Sequence, residues 1–100
     1  MNIHITEEAV DWFIDELELE PGDAVRFFAR YGGSSPFQPG FSIGLAKEMS
    51  PEPKIVNEKQ SIQFHIDEKD EWFFDGKDFH IGLKRGELRY GDQPIEDKGE

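Results

Sequence analysis

The sequence predicts a single small α+β domain built from short strands, antiparallel or mixed, and two helices. Three features carry that expectation: an apolar stripe at helical spacing near the N-terminus, a succession of short segments in which apolar and polar residues alternate, and Gly, Pro and Asp clusters between them. A chain of 100 residues has room for one core. Nine Phe, two Trp and two Tyr supply much of that core, because each aromatic ring buries a large area.

Ile3 and Ile5 alternate with polar neighbours as a short strand. Thr6 offers a side-chain oxygen to a free backbone N–H, and Glu7 and Glu8 suit the positive end of a helix. Val10, Phe13, Ile14 and Leu17 recur three and four apart, so a helix over 7–19 presents one apolar face. Glu20-Pro21-Gly22-Asp23 stops it, with Pro and Gly at the second and third positions of a type II turn.

Over 24–31, Val25, Phe27, Ala29 and Tyr31 share one face of a strand and Arg26, Phe28 and Arg30 the other. Residues 32–40, Gly-Gly-Ser-Ser-Pro-Phe-Gln-Pro-Gly, form a loop. Phe41, Ile43 and Leu45 then alternate with small residues, leaving a face that another backbone layer can approach closely. Lys54-Ile55-Val56 reads as a short edge strand, and 61–66 as a strand with Ile62, Phe64 and Ile66 on one side. Asp67 stands where it caps a short helix over 68–74, closed by Asp75-Gly76. Phe79, Ile81 and Leu83 mark a further strand, Lys84-Arg85-Gly86 a turn, and 87–90 its returning partner. Residues 91–100 read as a flexible acidic tail, which leaves 1–90 as the domain.

The chain contains no cysteine, so its own side chains supply no disulfide, no thiolate nucleophile and no cysteine-held zinc or iron–sulfur cluster. A net charge of −11 repels phosphate backbones and anionic lipid, and no basic run is longer than Lys84-Arg85. Nucleic acid and membrane are therefore disfavoured as partners. A protein with a basic surface is favoured, and a homo-oligomer is compatible with the composition. No apolar run approaches the roughly 18 residues of a membrane span, and the first residues lack a basic start followed by an apolar stretch. The expected location is cytoplasmic.

Val25-Arg26-Phe27-Phe28-Ala29-Arg30-Tyr31-Gly32-Gly33-Ser34-Ser35-Pro36-Phe37 is a strand running into a Gly-Gly loop. Ile66-Asp67 is followed by a short helical insert and then by Phe74-Asp75-Gly76. Together, and in this order of elements over 3–90, they resemble the HesB-like family, the A-type iron–sulfur carriers of cluster assembly. The resemblance implies a curved, barrel-like arrangement of short strands with two helices. Carriers of this kind hold iron or a cluster through three cysteines, one in the Gly-rich loop and two in a C-terminal Cys-Gly-Cys. Here the loop cysteine falls on Ser34, Pro36 replaces the following Gly, and 91–100 contains no Cys-Gly-Cys. A neutral serine hydroxyl is a poor substitute for a soft thiolate. The resemblance thus implies a cysteine-free branch that keeps the scaffold: a non-enzymatic binding or accessory protein related to iron–sulfur assembly or iron metabolism, with no cofactor of its own. The alternative is a protein-interaction or regulatory module without any metal role.

The candidate binding residues are Gly32, Gly33, Ser34 and Ser35, whose backbone N–H groups form a pocket for an anion or peptide if they converge, together with the Arg26/Arg30 face. The dull reading of this loop is a plain turn. Ser34 is no hydrolase nucleophile, since Gly33-Ser34-Ser35-Pro36 lacks the second Gly of G-x-S-x-G. His65 and His80 are weak metal candidates: on neighbouring strands they face one another and, with Asp67 or Asp78, approach two-His-one-carboxylate ligation. Alternation alone turns both rings outward to solvent. The acidic residues of 67–78 do not match the spacing of an EF-hand and read as a solvated face. Trp12, Trp72 and Phe73 form an exposed partner patch on one reading; beside helical stripes, they are expected in the core.

Overall fold

The computed structural model describes residues 1–50 and 52–95. Among the described residues, seven strands form two mixed sheets. The elements are β1 (Ile3–Ile5), α1 (Glu7–Glu16), β2 (Ala24–Tyr31), β3 (Phe41–Lys47), β4 (Pro53–Lys59), β5 (Ile62–Asp67), a 3-10 turn (Glu68–Asp70), α2 (Glu71–Phe74), β6 (Phe79–Lys84) and β7 (Glu87–Gly91). One sheet runs β1-β6-β7 and the other β3-β2-β5-β4. β1 pairs parallel with β6, and β2 parallel with β5; the remaining pairs are antiparallel. Asn57 on the edge strand β4 donates through Nδ2 to the carbonyl of Ile3 on β1 at 2.7 Å, fastening one sheet to the other.

The local grammar of the chain explains most of the elements. Thr6 caps α1, its hydroxyl accepting from the Ala9 N–H at 3.2 Å. Val10 and Phe13 of the apolar stripe are fully buried. The helix ends at Glu16, short of the expected 19, because Glu18 takes φ 51 and the Leu19 N–H turns back to Ile14 O. Gly22 at φ 97 and the 2.9 Å bond from Asp23 N to Glu20 O complete the expected turn. Arg85 and Gly86, both at positive φ, make the two-residue β6–β7 turn.

The core is an aromatic layer between the sheets. Phe13 of α1 meets Phe27 of β2 and Phe64 of β5 at centroid distances of 5.8 and 5.6 Å, and Phe74 of α2 meets Phe79 of β6 at 4.9 Å. On the opposite face of β2, Gly44 of β3 lies under Phe28 and Arg30; a Cβ there would stand 2.5 Å from Phe28 Cε2. The small residues of β3 thus make room for two side chains of the neighbouring strand, rather than for the second backbone layer expected there.

β7 continues through Gly91, and Ile95 folds back over Gly82. The rest of the expected tail, 96–100, lies outside the described residues. Among the described residues no helix is long and apolar enough to cross a membrane.

Candidate functional site

The 32–40 loop is a built structure. The Gly32 N–H bonds Gly40 O at 2.8 Å, closing its base. The Ser35 hydroxyl accepts from the N–H groups of Phe37 and Gln38 at 3.2 and 3.3 Å and donates to Gln38 O. Phe37 drops into the core against Phe74 at 5.0 Å and Phe73 and Phe79 at 5.8 Å. Three loop N–H groups are thereby used within the loop itself and do not converge on an outside ligand. Gly32, Gly33 and Ser34 are exposed.

At the base of that loop the surface is aromatic. Tyr31 and Phe41 are register partners on β2 and β3, 5.7 Å apart edge to face, and Trp72 of α2 stacks its edge on Phe41 at 5.3 Å. Tyr31 is 92% and Trp72 53% exposed, which makes this ridge the most prominent apolar feature of the described surface. The expectation that Trp12, Trp72 and Phe73 are all core divides here. Phe73 is fully buried and Trp12 packs on Phe13, whereas Trp72 stands out because α2 is one turn long and turns its first positions outward.

The Arg26/Arg30 face holds a second feature. Arg26 Nη2 bonds Asp70 Oδ2 at 2.8 Å, its Nη1 bonds Glu48 Oε2 at 3.2 Å, and its guanidinium lies 5.0 Å over the Phe28 ring. Its Nε is 3.1 Å from Asp67 Oδ2 but lacks hydrogen-bond alignment, so that contact is purely ionic. Burial works against the Arg26 charge. The Asp70 hydrogen bond and the charges of Asp70 and Asp67 outweigh it, and the pKa is raised above its ordinary value. An open cleft of about 490 Å³ lies beside this cluster, with Arg26 on its wall and Ser50, Glu52 and Lys69 around it. Arg30 is exposed, its stem covering Gly44.

The paired-histidine expectation is corrected. His65 lies on β5 and His80 on β6, in different sheets. His65 is 1% exposed, not outward in solvent. Its Nε2 donates to the Glu48 carbonyl at 2.9 Å, and its Nδ1 meets Asp67 Oδ1 at 3.2 Å. Asp67, committed to His65 and Arg26, makes no side-chain capping bond to the 3-10 turn. His80 instead stacks on His4, centroids 4.4 Å apart and planes 11° off parallel, because β1 and β6 pair in register.

No protein-family model matches the chain. A Bacillus subtilis protein named pyruvate dehydrogenase inhibitor is 43% identical over 95 residues, covering 95% of this chain and 96% of that one. The chain belongs to the family of that inhibitor. An uncharacterised Staphylococcus saprophyticus protein is 36% identical over 89 residues, covering 86% of this chain and 91% of its own, so the match spans nearly whole proteins. Among solved structures, a Lactobacillus acidophilus protein provisionally assigned to Fe-S biosynthesis superposes with a TM-score of 0.51 over 90% of this chain and 76% of that one, at 22% identity. That likeness establishes the fold, in agreement with the HesB-like architecture.

Proposed function

We propose that this protein is a non-enzymatic regulator that binds pyruvate dehydrogenase and lowers its activity, using a HesB-like scaffold that no longer carries a cluster through cysteines of its own. The 43% identity to the Bacillus subtilis inhibitor across 95% of the chain carries the reading. The absence of cysteine supports it from the chemical side, since the scaffold's thiolate ligands are gone.

The Tyr31–Phe41–Trp72 ridge is the proposed contact surface. Tyr and Trp are the residues most enriched at the energetic centres of interfaces, and here they stand exposed at the rim of a loop anchored by Phe37. Pre-anchoring lowers the entropy lost on binding. The net charge of −11 directs the protein to a basic surface on its partner and speeds the encounter. The accessory role beside iron–sulfur assembly draws on the fold neighbour alone.

The test is a titration of the purified Bacillus subtilis pyruvate dehydrogenase complex with this protein, following NADH formation. Saturable loss of activity, unchanged when chelator is present, is the expected result. Full activity at protein in large excess over the complex contradicts the proposal.

A further inference from the structure

A side-chain cluster away from the ridge has the composition of a metal site. Parallel pairing in register sets His4 of β1 opposite His80 of β6, and Asp78 sits just before β6. His4 Nε2 is 2.9 Å from Asp78 Oδ2, and one ligand atom from each of the three residues lies within 4.8 Å of the others. Two donors about 2.0–2.1 Å from one ion stand roughly 3 Å apart at ordinary coordination angles. The His4–Asp78 separation already has that value; His80, stacked on His4 with centroids 4.4 Å apart and planes 11° off parallel, turns out of the stack to aim a ring nitrogen at the same point.

The surroundings suit the same chemistry. Asp78 Oδ1 accepts the Asn2 backbone N–H at 3.0 Å, which fixes the carboxylate and leaves Oδ2 facing the rings. Across β6, the register partner of His80 is Gly91, so no side chain crowds the imidazole from β7. His4 and Asp78 are both open to solvent, so water can complete the coordination; a cleft of about 280 Å³ borders the two rings on the side of Ile5, Ile81 and Ile95, away from Asp78. Two imidazoles and one carboxylate with open positions suit divalent first-row ions, and zinc among them.

We propose that His4, His80 and Asp78 form a binding site for a divalent ion of the zinc type, bridging the N-terminal strand to β6. The ion takes the place of the hydrogen in the His4–Asp78 contact, and that hydrogen moves to His4 Nδ1 or is released to solvent. The site is independent of pyruvate dehydrogenase binding, and its test does not involve that enzyme.

The experiment uses untagged, chelator-stripped protein titrated with zinc chloride by calorimetry, and with cobalt(II) while the ring protons of the three histidines are followed by NMR. One equivalent of zinc is expected. His4→Ala and His80→Ala are each expected to weaken it roughly tenfold or more. Cobalt should broaden the His4 and His80 ring signals of the wild-type protein before those of buried His65, a readout that needs no variant. Absence of saturable zinc uptake overturns the proposal. So does cobalt broadening that spares His4 and His80, or affinity unchanged in both variants.

Discussion

Arg26 of β2 and Asp70 of the 3-10 turn meet at 2.8 Å across 44 residues of sequence, both largely withdrawn from solvent. The second Asp70 oxygen accepts the Ala29 N–H at 3.4 Å, so one carboxylate ties the segment leading into α2 onto the strand that leads into the loop. The relative position of Trp72 and Tyr31 depends on this tie.

Removing either partner should cost stability unequally. Asp70→Ala leaves Arg26 with Asp67 and Glu48 and should destabilise by about 1–3 kcal/mol. Arg26→Ala strands Asp67 and Asp70 near each other without a cation and should cost about 3–5 kcal/mol. Urea unfolding at neutral pH measures both, and the reverse order would contradict the assigned roles.

Phe37→Ala should remove the loop's anchor. The ring is 6% exposed among Phe73, Phe74 and Phe79, and truncations of this kind cost about 3–5 kcal/mol. Amide exchange in the folded variant should accelerate first at Gln38 and Gly32, whose N–H groups close the loop. Uniform acceleration across both sheets would show that the loop is not separately held.

Burial pushes the Tyr90 hydroxyl up to about 12. In the unfolded chain it ionises near its ordinary 10, so above that pH the unfolded state has released a proton that the folded state still holds. Stability should therefore be unaffected by this group below pH 10, fall from about pH 10 to about 12, and level off beyond. Tyr90→Phe keeps the ring beside Phe79 and should flatten that portion of the curve, which alkaline urea titrations of the two proteins would resolve.

Much of the fold is legible because its signals are local. The Thr6 cap, the Val25/Phe27 alternation and the Pro21-Gly22 and Arg85-Gly86 turns each depend on a few neighbouring residues. The site is less so, because it depends on which strands become neighbours. Alternation turns His65 away from Phe64 and Ile66, yet the Glu48 carbonyl and Asp67 cover that side and bury it. His4 and His80 stack only because β1 pairs with a strand some three quarters of the chain away. Trp72 is exposed because α2 is a single turn, too short to form the stripe that would have buried it.

Binding through the aromatic ridge should separate from stability. Trp72→Ala and Tyr31→Ala remove exposed rings and should leave the urea midpoint nearly unchanged, while each weakens attachment to the partner by about 2 kcal/mol or more if it lies at the interface centre.

The most direct measurement is the affinity of chelator-treated protein for the immobilised Bacillus subtilis pyruvate dehydrogenase complex, wild type beside the Tyr31→Ala/Trp72→Ala double variant. The account predicts saturable binding by the wild type without metal and its near loss in the folded double variant. Wild-type binding that is absent, that needs added iron, or that persists undiminished in the double variant would contradict it.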